Sequence, residues 1–447
     1  MAEEPRQRIG TSFDKYPEVP REVILKEDML RLGIQFSEEA LEMAKGCRPK
    51  SYYLFSWDRM SRDEMEKDES YRTPDDLFFY GGPNDLRLTN VRVEIANNTP
   101  YLISISDGTP TLFENGRPIA EIRYPKRPHY YSYSFEDGTS YGQVIPLLFG
   151  RMAFITMYRL CQLSPEEQCK FCDMNASSVD LKARSKKMGD RVDIEHVVYD
   201  TVKDPEQVAT VAEAMYKDMF IDGNEDLENR MISIIMTSGT IKKTLKKLSP
   251  VDFYLQYVKA IRNGIGNRIP IVLIVEALPE DDMWRLYEAG VTVYNPNIEV
   301  WDERLFNILC PGKAKYFGRK KWIEQMLKAV DIFGVGNVSP NFVAGVEMAQ
   351  PMGFKDVDQA VNSTKDGFEF MMSHGVIPHP DTWCIEPQSP LGGHPPIPLD
   401  YYIKMNKAWY DTWVKYALPP NNGWGPIGNG CGCYGNSGYV DMREGRL

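Results

Sequence analysis

The chain has 447 residues, of which 43% are hydrophobic and 26% charged, and it carries a net charge of −11 at pH 7. That length exceeds one ordinary domain and leaves room for a catalytic core with additions at its ends. The acidic balance argues against a sequence-independent nucleic-acid binder, which needs a basic face, so nucleic acid is not the expected partner.

Taken in chain order, the opening MAEEPRQRIGTSFDKYPEVP lacks the apolar core of a signal peptide, and the longest greasy run, Ile269 to Val275, is too short to span a bilayer. A cytoplasmic protein with no membrane partner is expected. Its eight cysteines then fit metal-bound thiols in a reducing compartment better than a disulfide framework. Residues 1–50 are mixed and polar, with one helix-like stretch at 38–46 and a spare thiol at Cys47. From 51 to 145, alternating runs at 86–95, 100–106 and 111–124 are punctuated by Asn-Asn, Asp-Gly and Asn-Gly pairs. These are hairpin signals, and they define a small β-rich N-terminal domain over 1–145. The aromatic run YPKRPHYYSYSF (124–135) reads as hairpin faces and packing.

From Arg151 the texture alternates between strand and helix. Strands are expected at 153–158, 231–238, 269–277, 291–298, 337–346 and 381–387, with helices at 205–219, 249–263, 280–290, 318–334 and 355–375 between them. Such alternation argues for βα units and a parallel sheet. The expected fold class is α/β: a partial (β/α)6 TIM-like barrel over 146–397, with the β-rich extension in front. Residues 398–447 follow as a helix (401–418) and a Gly-rich tail.

The loop after the first of these strands carries three thiols, Cys161, Cys169 and Cys172, in a C-x7-C-x2-C spacing. Clustered thiolates are soft ligands for iron–sulfur clusters. Three of them would leave one iron of a [4Fe-4S] cube open to a small molecule. The competing readings are a zinc site or unrelated thiols. Zinc wants a fourth Cys or His nearby, and the nearest, His196, lies 24 residues past Cys172.

The loop resembles the cluster loop of the radical S-adenosylmethionine (SAM) superfamily, including an aromatic residue, Phe171, just before the last cysteine. It departs in its first gap, seven residues where three are common. The resemblance implies that Cys161, Cys169 and Cys172 hold the cube and that SAM chelates the open iron. It also assigns contacts at the carboxyl ends of the strands, where barrels of this kind place their chemistry. Ser238, Gly239 and Thr240 follow the second strand, and a glycine there permits close backbone approach. Glu276 ends the third strand as an acid abutting a buried run, and is read as pocket-lining.

The segment 286–312 resembles the fourth-strand region of the biotin-synthase-like branch. Asn295, Asn297 and Glu299 alternate there and are expected on one face of a strand, where they would be costly if buried without a ligand. Val343 to Glu347 resemble the stretch against which the adenine lies. Arg319 and Lys320 stand in for a basic residue that the family has early in its fourth helix. The likeness covers roughly 151–395.

Radical SAM chemistry implies reductive cleavage of SAM, with reduced flavodoxin or ferredoxin as electron donor, and hydrogen abstraction from a small molecule or cofactor precursor. The oxygen sensitivity of such clusters makes an anaerobic host expected. Cys431 and Cys433 in the tail, with Cys384 and Cys310, are candidates for a second iron–sulfur cluster or for hydrogen donation; the plainer reading is a flexible end with two thiols. The alternatives are a methyl- or sulfur-transfer enzyme of the same superfamily, or a zinc or iron–sulfur binding protein in electron transfer.

Overall fold

The computed structural model describes residues 8–48, 73–148, 150–175, 202–219, 231–386, 388–424 and 434–443. The front of the chain begins with α1 (Arg8–Lys15), α2 (Arg21–Leu32), β1 (Gln35–Phe36) and α3 (Glu38–Met43). Only α3 was foreseen in this stretch. Helix α2 escaped because it has no apolar stripe: Val23, Ile24, Leu25, Met29 and Leu30 are buried, but so are Glu22, Lys26, Glu27 and Asp28. Burial all round removes the 3.6-residue signature on which an amphipathic reading rests.

Each of the three consecutive charges is paired, as buried charges must be. Lys26 donates to Asp441 at 2.7 Å and to the Tyr434 carbonyl at 2.6 Å. Glu27 accepts from Thr382, from Asn406 and from the Gly438 amide. Asp28 accepts from Tyr101, Arg8 and Arg31. One helix thereby ties the front sheet to the last barrel strand and to the C-terminal residues.

The front sheet contains β2 (Asp76–Gly81), β3 (Leu86–Arg92), β4 (Tyr101–Ser106), β5 (Thr109–Glu114) and β6 (Arg117–Arg123), in the order β1-β4-β5-β6-β2-β3. The two tight hairpins fall at Asp107-Gly108 and Asn115-Gly116. Both residues of each pair have positive φ (49° and 79°; 49° and 81°). That is the primed turn whose twist matches the flanking strands, and Asp-Gly and Asn-Gly adopt it readily. The aromatic run corrects its expectation. β6 ends at Arg123, and the run turns through a short 3₁₀ helix, His129–Ser132, that buries Tyr130 and Tyr131 edge-to-face at 4.9 Å.

After the single turn α4 (Tyr141–Val144) come β7 (Leu147–Leu148), β8 (Met152–Tyr158), α5 (Pro205–Met219), β9 (Ser233–Ser238), α6 (Pro250–Ile265), β10 (Ile271–Ile274), α7 (Glu280–Glu288) and β11 (Val293–Asn295). Then follow α8 (Glu303–Leu309), α9 (Pro311–Tyr316), α10 (Arg319–Phe333), β12 (Asn341–Ala344), α11 (Val357–Met372), β13 (His379–Thr382) and α12 (Leu399–Lys415). Strands β8 to β11 are parallel neighbours in chain order, and β12 and β13 form a second parallel pair. Parallel bridges from Tyr294 to Val338 and from Glu299 to Phe342 join the two sets. The result is a six-strand parallel succession with helices between strands, a partial (β/α)6 barrel.

β8 is buried along its whole length, as a parallel strand covered on both faces should be. The later strands are shorter than expected: β11 stops at Asn295 because Pro296 follows, and the sixth strand starts at His379 and ends at Thr382. Six strands leave one flank open. Residues 434–436 lie along it: Tyr434 bridges Gly150, the Gly435 carbonyl accepts from the Arg92 amide at 2.9 Å, and the Asn436 carbonyl accepts from the Thr382 amide at 3.2 Å.

Candidate active site

The seven-residue gap of the cysteine loop is held on two sides. Facing the β9–α6 loop, the Gln162 amide donates to the Thr240 carbonyl at 2.9 Å, and its side chain bonds the Thr244 carbonyl and the Lys242 amide, each at 2.9 Å. Facing α8 and α9, Lys170 donates to the Leu309 carbonyl at 2.8 Å and Gly312 donates to the Glu167 carbonyl at 2.9 Å. Glu167 also meets Lys315, Tyr316 and Lys242, which hold its carboxyl far below the usual range. Asn175 closes the loop by accepting from the Cys161 amide at 2.7 Å and donating to the Cys161 carbonyl at 3.0 Å.

Gly239 allows the loop to sit where it does. A Cβ there would stand 2.0 Å from the Leu160 carbonyl oxygen and 3.0 Å from the Cys161 nitrogen. The close approach that glycine was expected to permit is thus already made by the cysteine loop itself.

Cys161, Cys169 and Cys172 line one wall of a cavity of about 230 Å³ at the carboxyl ends of the strands. Phe171, Ser238, Gly239, Thr240, Glu276, Asn297, Glu299, Val343 and Cys384 line it too. Among the described residues no group of three or more His, Cys, Asp or Glu side chains is placed to hold a metal ion. Burial pushes the Cys161 and Cys172 thiols up, whereas a hydrogen bond from Cys310 lowers Cys169.

Two expected contacts are placed elsewhere. Asn295 is fully buried and does not line the cavity; its amide donates to the Asn297 Oδ1 at 2.8 Å. The three alternating residues therefore share no strand face, because β11 ends at Asn295 and Glu299 takes a left-handed φ of 68°. That conformation is uncommon for a glutamate, and it is held by the Glu299 amide on the Asn341 carbonyl and the Val343 amide on the Glu299 carbonyl, each at 2.9 Å. Glu347 points into the interior, accepting from Thr364, Tyr401 and the Gly345 amide, and does not line the cavity. Cys431 and Cys433 lie outside the described residues. Cys384 directs its Sγ toward the Leu30 carbonyl at 3.7 Å. Arg319 is taken up by the Trp301 carbonyl and ring.

The cavity's basic residue is instead Lys313, on α9. Its ammonium is buried between the Glu299 carboxylate, the Asn297 carbonyl at 2.9 Å and the Trp322 ring, 4.8 Å from the ring centroid. Nothing local in the sequence singles out this lysine, six residues ahead of Arg319. Glu276 accepts from the Tyr254 hydroxyl at 2.8 Å, and burial pushes its carboxyl up to about 7. Its Oε1 has no partner among the described residues.

Another part of the lining was not anticipated as a unit. Asn341, His379, Asp381 and Trp383 reach the cavity from β12, β13 and the residue after it. They are joined by Trp424 and Tyr434 from the C-terminal residues and by Arg92 from the front sheet. Burial raises Asp381 to about 7 and lowers His379 to about 3, so this histidine is neutral at ordinary pH.

No family model matches this chain. A curated relative, the bacteriochlorophyllide c C-7(1)-hydroxylase of Chlorobaculum limnaeum, is 26% identical over 141 residues, 31% of this chain. The match spans 32% of the hydroxylase's own length. Among solved structures, methylornithine synthase gives a TM-score of 0.39 at 13% identity, covering 66% of this chain and 78% of that one. The FeFe-hydrogenase maturase HydG from Carboxydothermus hydrogenoformans gives 0.36 at 14% identity, covering 59% and 52%. Coproporphyrinogen III oxidase from Escherichia coli, described as a radical SAM enzyme, gives 0.34 at 9% identity, covering 64% and 57%.

Proposed function

We propose that the chain is a radical SAM enzyme acting on a small molecule, its core spanning residues 146–397 behind an accessory front unit over 1–145. One observation carries the reading. Three thiols from the loop after β8 line the same cavity as the ends of β9 and β10 and the loop after β11. The donor set fits a [4Fe-4S] cluster: three soft ligands on one wall, as an open-iron cube needs. It also fits SAM, since the unpartnered Glu276 Oε1 in the same lining offers an acceptor for a hydroxyl or an amine.

Bound there, a cluster and SAM supply reductive cleavage of the sulfonium and hydrogen abstraction from an unactivated carbon. The chain's part is placement. Asn175, Gln162 and Lys170 fix the cysteine loop, and Lys313 neutralises Glu299 beside it. The front sheet, α2 and residues 434–436 cover the open flank and exclude water, which protects reactive intermediates. Hydroxylation also replaces hydrogen on carbon, so the partial match to a hydroxylase is compatible with this class; the activity named there is that relative's. A reduced flavodoxin or ferredoxin is the proposed donor and the cytoplasm the proposed location. Among the described residues no helix is long and apolar enough to cross a membrane.

Anaerobic reconstitution with iron and sulfide, followed by iron counting and electron paramagnetic resonance with and without SAM, tests the reading. About four irons per chain and a reduced-cluster signal altered by SAM are expected for one cube with an open iron. About eight would add a second cluster and bring Cys431 and Cys433 into question as its ligands. Zinc in place of a cluster would overturn the reading.

A further inference from the structure

The part of the cavity lining formed by β12, β13 and the C-terminal residues holds two buried acceptors without partners among the described residues, beside two unpartnered indole N–H donors, the Nε1 of Trp383 and of Trp424. His379 is 1% exposed, and its Nδ1–H donates to the Ser339 carbonyl at 2.9 Å, which leaves Nε2 as an acceptor. That Nε2 has no partner among the described residues, and neither has the Asn341 Oδ1. Asn341 donates its amide to the Asp381 Oδ2, and the Tyr434 hydroxyl donates to the Oδ1. Each carboxylate oxygen accepts more than one hydrogen bond, so Asp381 keeps free capacity.

The charges run the same way. Arg92 pairs with Glu94 at 3.2 Å and reaches Asp381 only through its field, and Lys313 pairs with Glu299. Asp381 forms no ion pair among the described residues. An acceptor left bare in a buried site costs about 1–3 kcal/mol, and more when charged. His379 is moreover held firmly against the Trp424 ring, with centroids 4.2 Å apart, so its Nε2 is aimed and does not relax away.

We propose that Asn341, His379 and Asp381 form a binding site for the protonated amino group of the substrate. A primary ammonium brings three N–H donors and one positive charge. The wall offers two bare neutral acceptors and one carboxyl group with no ion pair among the described residues. A hydroxyl compound would satisfy at most one of these acceptors per oxygen and leave the carboxylate unneutralised. A lone carboxylate ligand would find donors in the Trp383 and Trp424 indoles but would leave the three acceptors unmet. The assignment rests on the enzyme reading above and names its substrate class: small aliphatic amines or amino compounds, with the reacting carbon extending from this wall toward the thiols.

The test uses the reconstituted full-length protein with imidazole nitrogens labelled by ¹⁵N, titrated with n-butylammonium, butan-1-ol and butanoate. A His379→Gln variant identifies the His379 Nε2 resonance. The expected result is a saturable shift of that resonance with n-butylammonium. Butan-1-ol and butanoate should bind about tenfold more weakly or not at all, as loss of one charged hydrogen bond implies. An Asn341→Leu variant, checked for an intact thermal transition, should weaken n-butylammonium by about tenfold. The assignment is overturned if butan-1-ol or butanoate binds as well as the amine, if no probe moves the resonance, or if a folded Asn341→Leu protein binds undiminished. An Asn341→Leu protein that does not fold leaves the decision to the wild-type titration. Iron content and the SAM-dependent spectrum are read on the same sample. An intact cluster with no amine binding sinks this site alone, whereas amine binding without a cluster sinks the enzyme reading.

Discussion

Replacing Gly239 by alanine should unload the metal site without touching a ligand. The added methyl would lie 2.0 Å from the Leu160 carbonyl oxygen, 2.6 Å from its carbon and 3.0 Å from the Cys161 nitrogen. All three are backbone atoms, so no side chain can swing aside. The loop must move instead, straining the Gly239-to-Tyr158 bond at 3.0 Å and the Gln162-to-Thr240 bond at 2.9 Å. Overpacking of this kind costs about 1–3 kcal/mol, and loss of the two hydrogen bonds adds about 1 kcal/mol each. Denaturant unfolding of the apo protein should show a loss of about 3–5 kcal/mol. Iron retained after anaerobic reconstitution should fall by more than half, on the order of what a displaced thiolate implies. Gly393→Ala is the control, since nothing lies within 4 Å of its added methyl. A Gly239→Ala protein with unchanged stability and full iron would show that the glycine is not what seats the cysteine loop.

Alanine at Cys161, Cys169 or Cys172 should abolish stable cluster loading, while Cys47→Ala should leave it unchanged; visible absorbance and iron counts check both. Glu276→Gln should change the pH dependence of apo stability. The Glu276 carboxyl sits at about 7 instead of 4.5 because burial disfavours its charge. The folded state therefore holds its proton more tightly, and stability falls as pH rises from about 4.5 through 7. At about 1.4 kcal/mol per pH unit this slope integrates to on the order of 3 kcal/mol. The glutamine variant should lose that slope; identical pH profiles for the two proteins would refute the assignment. Lys313→Met leaves the Glu299 carboxylate buried and unpaired, and should cost about 3–5 kcal/mol, partly restored in the Lys313→Met, Glu299→Gln double variant. Asp441→Asn should cost a comparable amount, about 3 kcal/mol, because Lys26 is fully buried and its ion pair is with Asp441. A near-neutral result by thermal melting would mean that the Tyr434 carbonyl alone suffices for Lys26.

What the sequence by itself determined is the local chemistry. The spacing of Cys161, Cys169 and Cys172, the Asp-Gly and Asn-Gly turns, and the period-switching from β8 to β13 are all properties of short windows. Backbone sterics, turn preference and thiolate softness act within a few residues, so these features could be read directly. Glu276 was readable as an acid ending a buried run, whereas Ser238, Gly239, Thr240, Asn297, Glu299 and Val343 were named through the family resemblance of their motifs; all seven line one cavity.

The tertiary structure decided what depends on partners far along the chain. Helix α2 is buried because Lys26, Glu27 and Asp28 meet residues up to 415 positions away, and apart from Arg31, three residues past Asp28, no short window contains both partners. Lys313 reaches the cavity because α9 packs beneath the cysteine loop. Asn295 leaves it because Pro296 ends the strand one residue after, and Glu347 is claimed by Thr364 and Tyr401 from two later helices. The wall of Asn341, His379 and Asp381 becomes a site only when residues 434–436 fill the flank that six strands leave open. A single polar side chain costs little until folding removes its water, and which ones lose it is a property of the assembled fold.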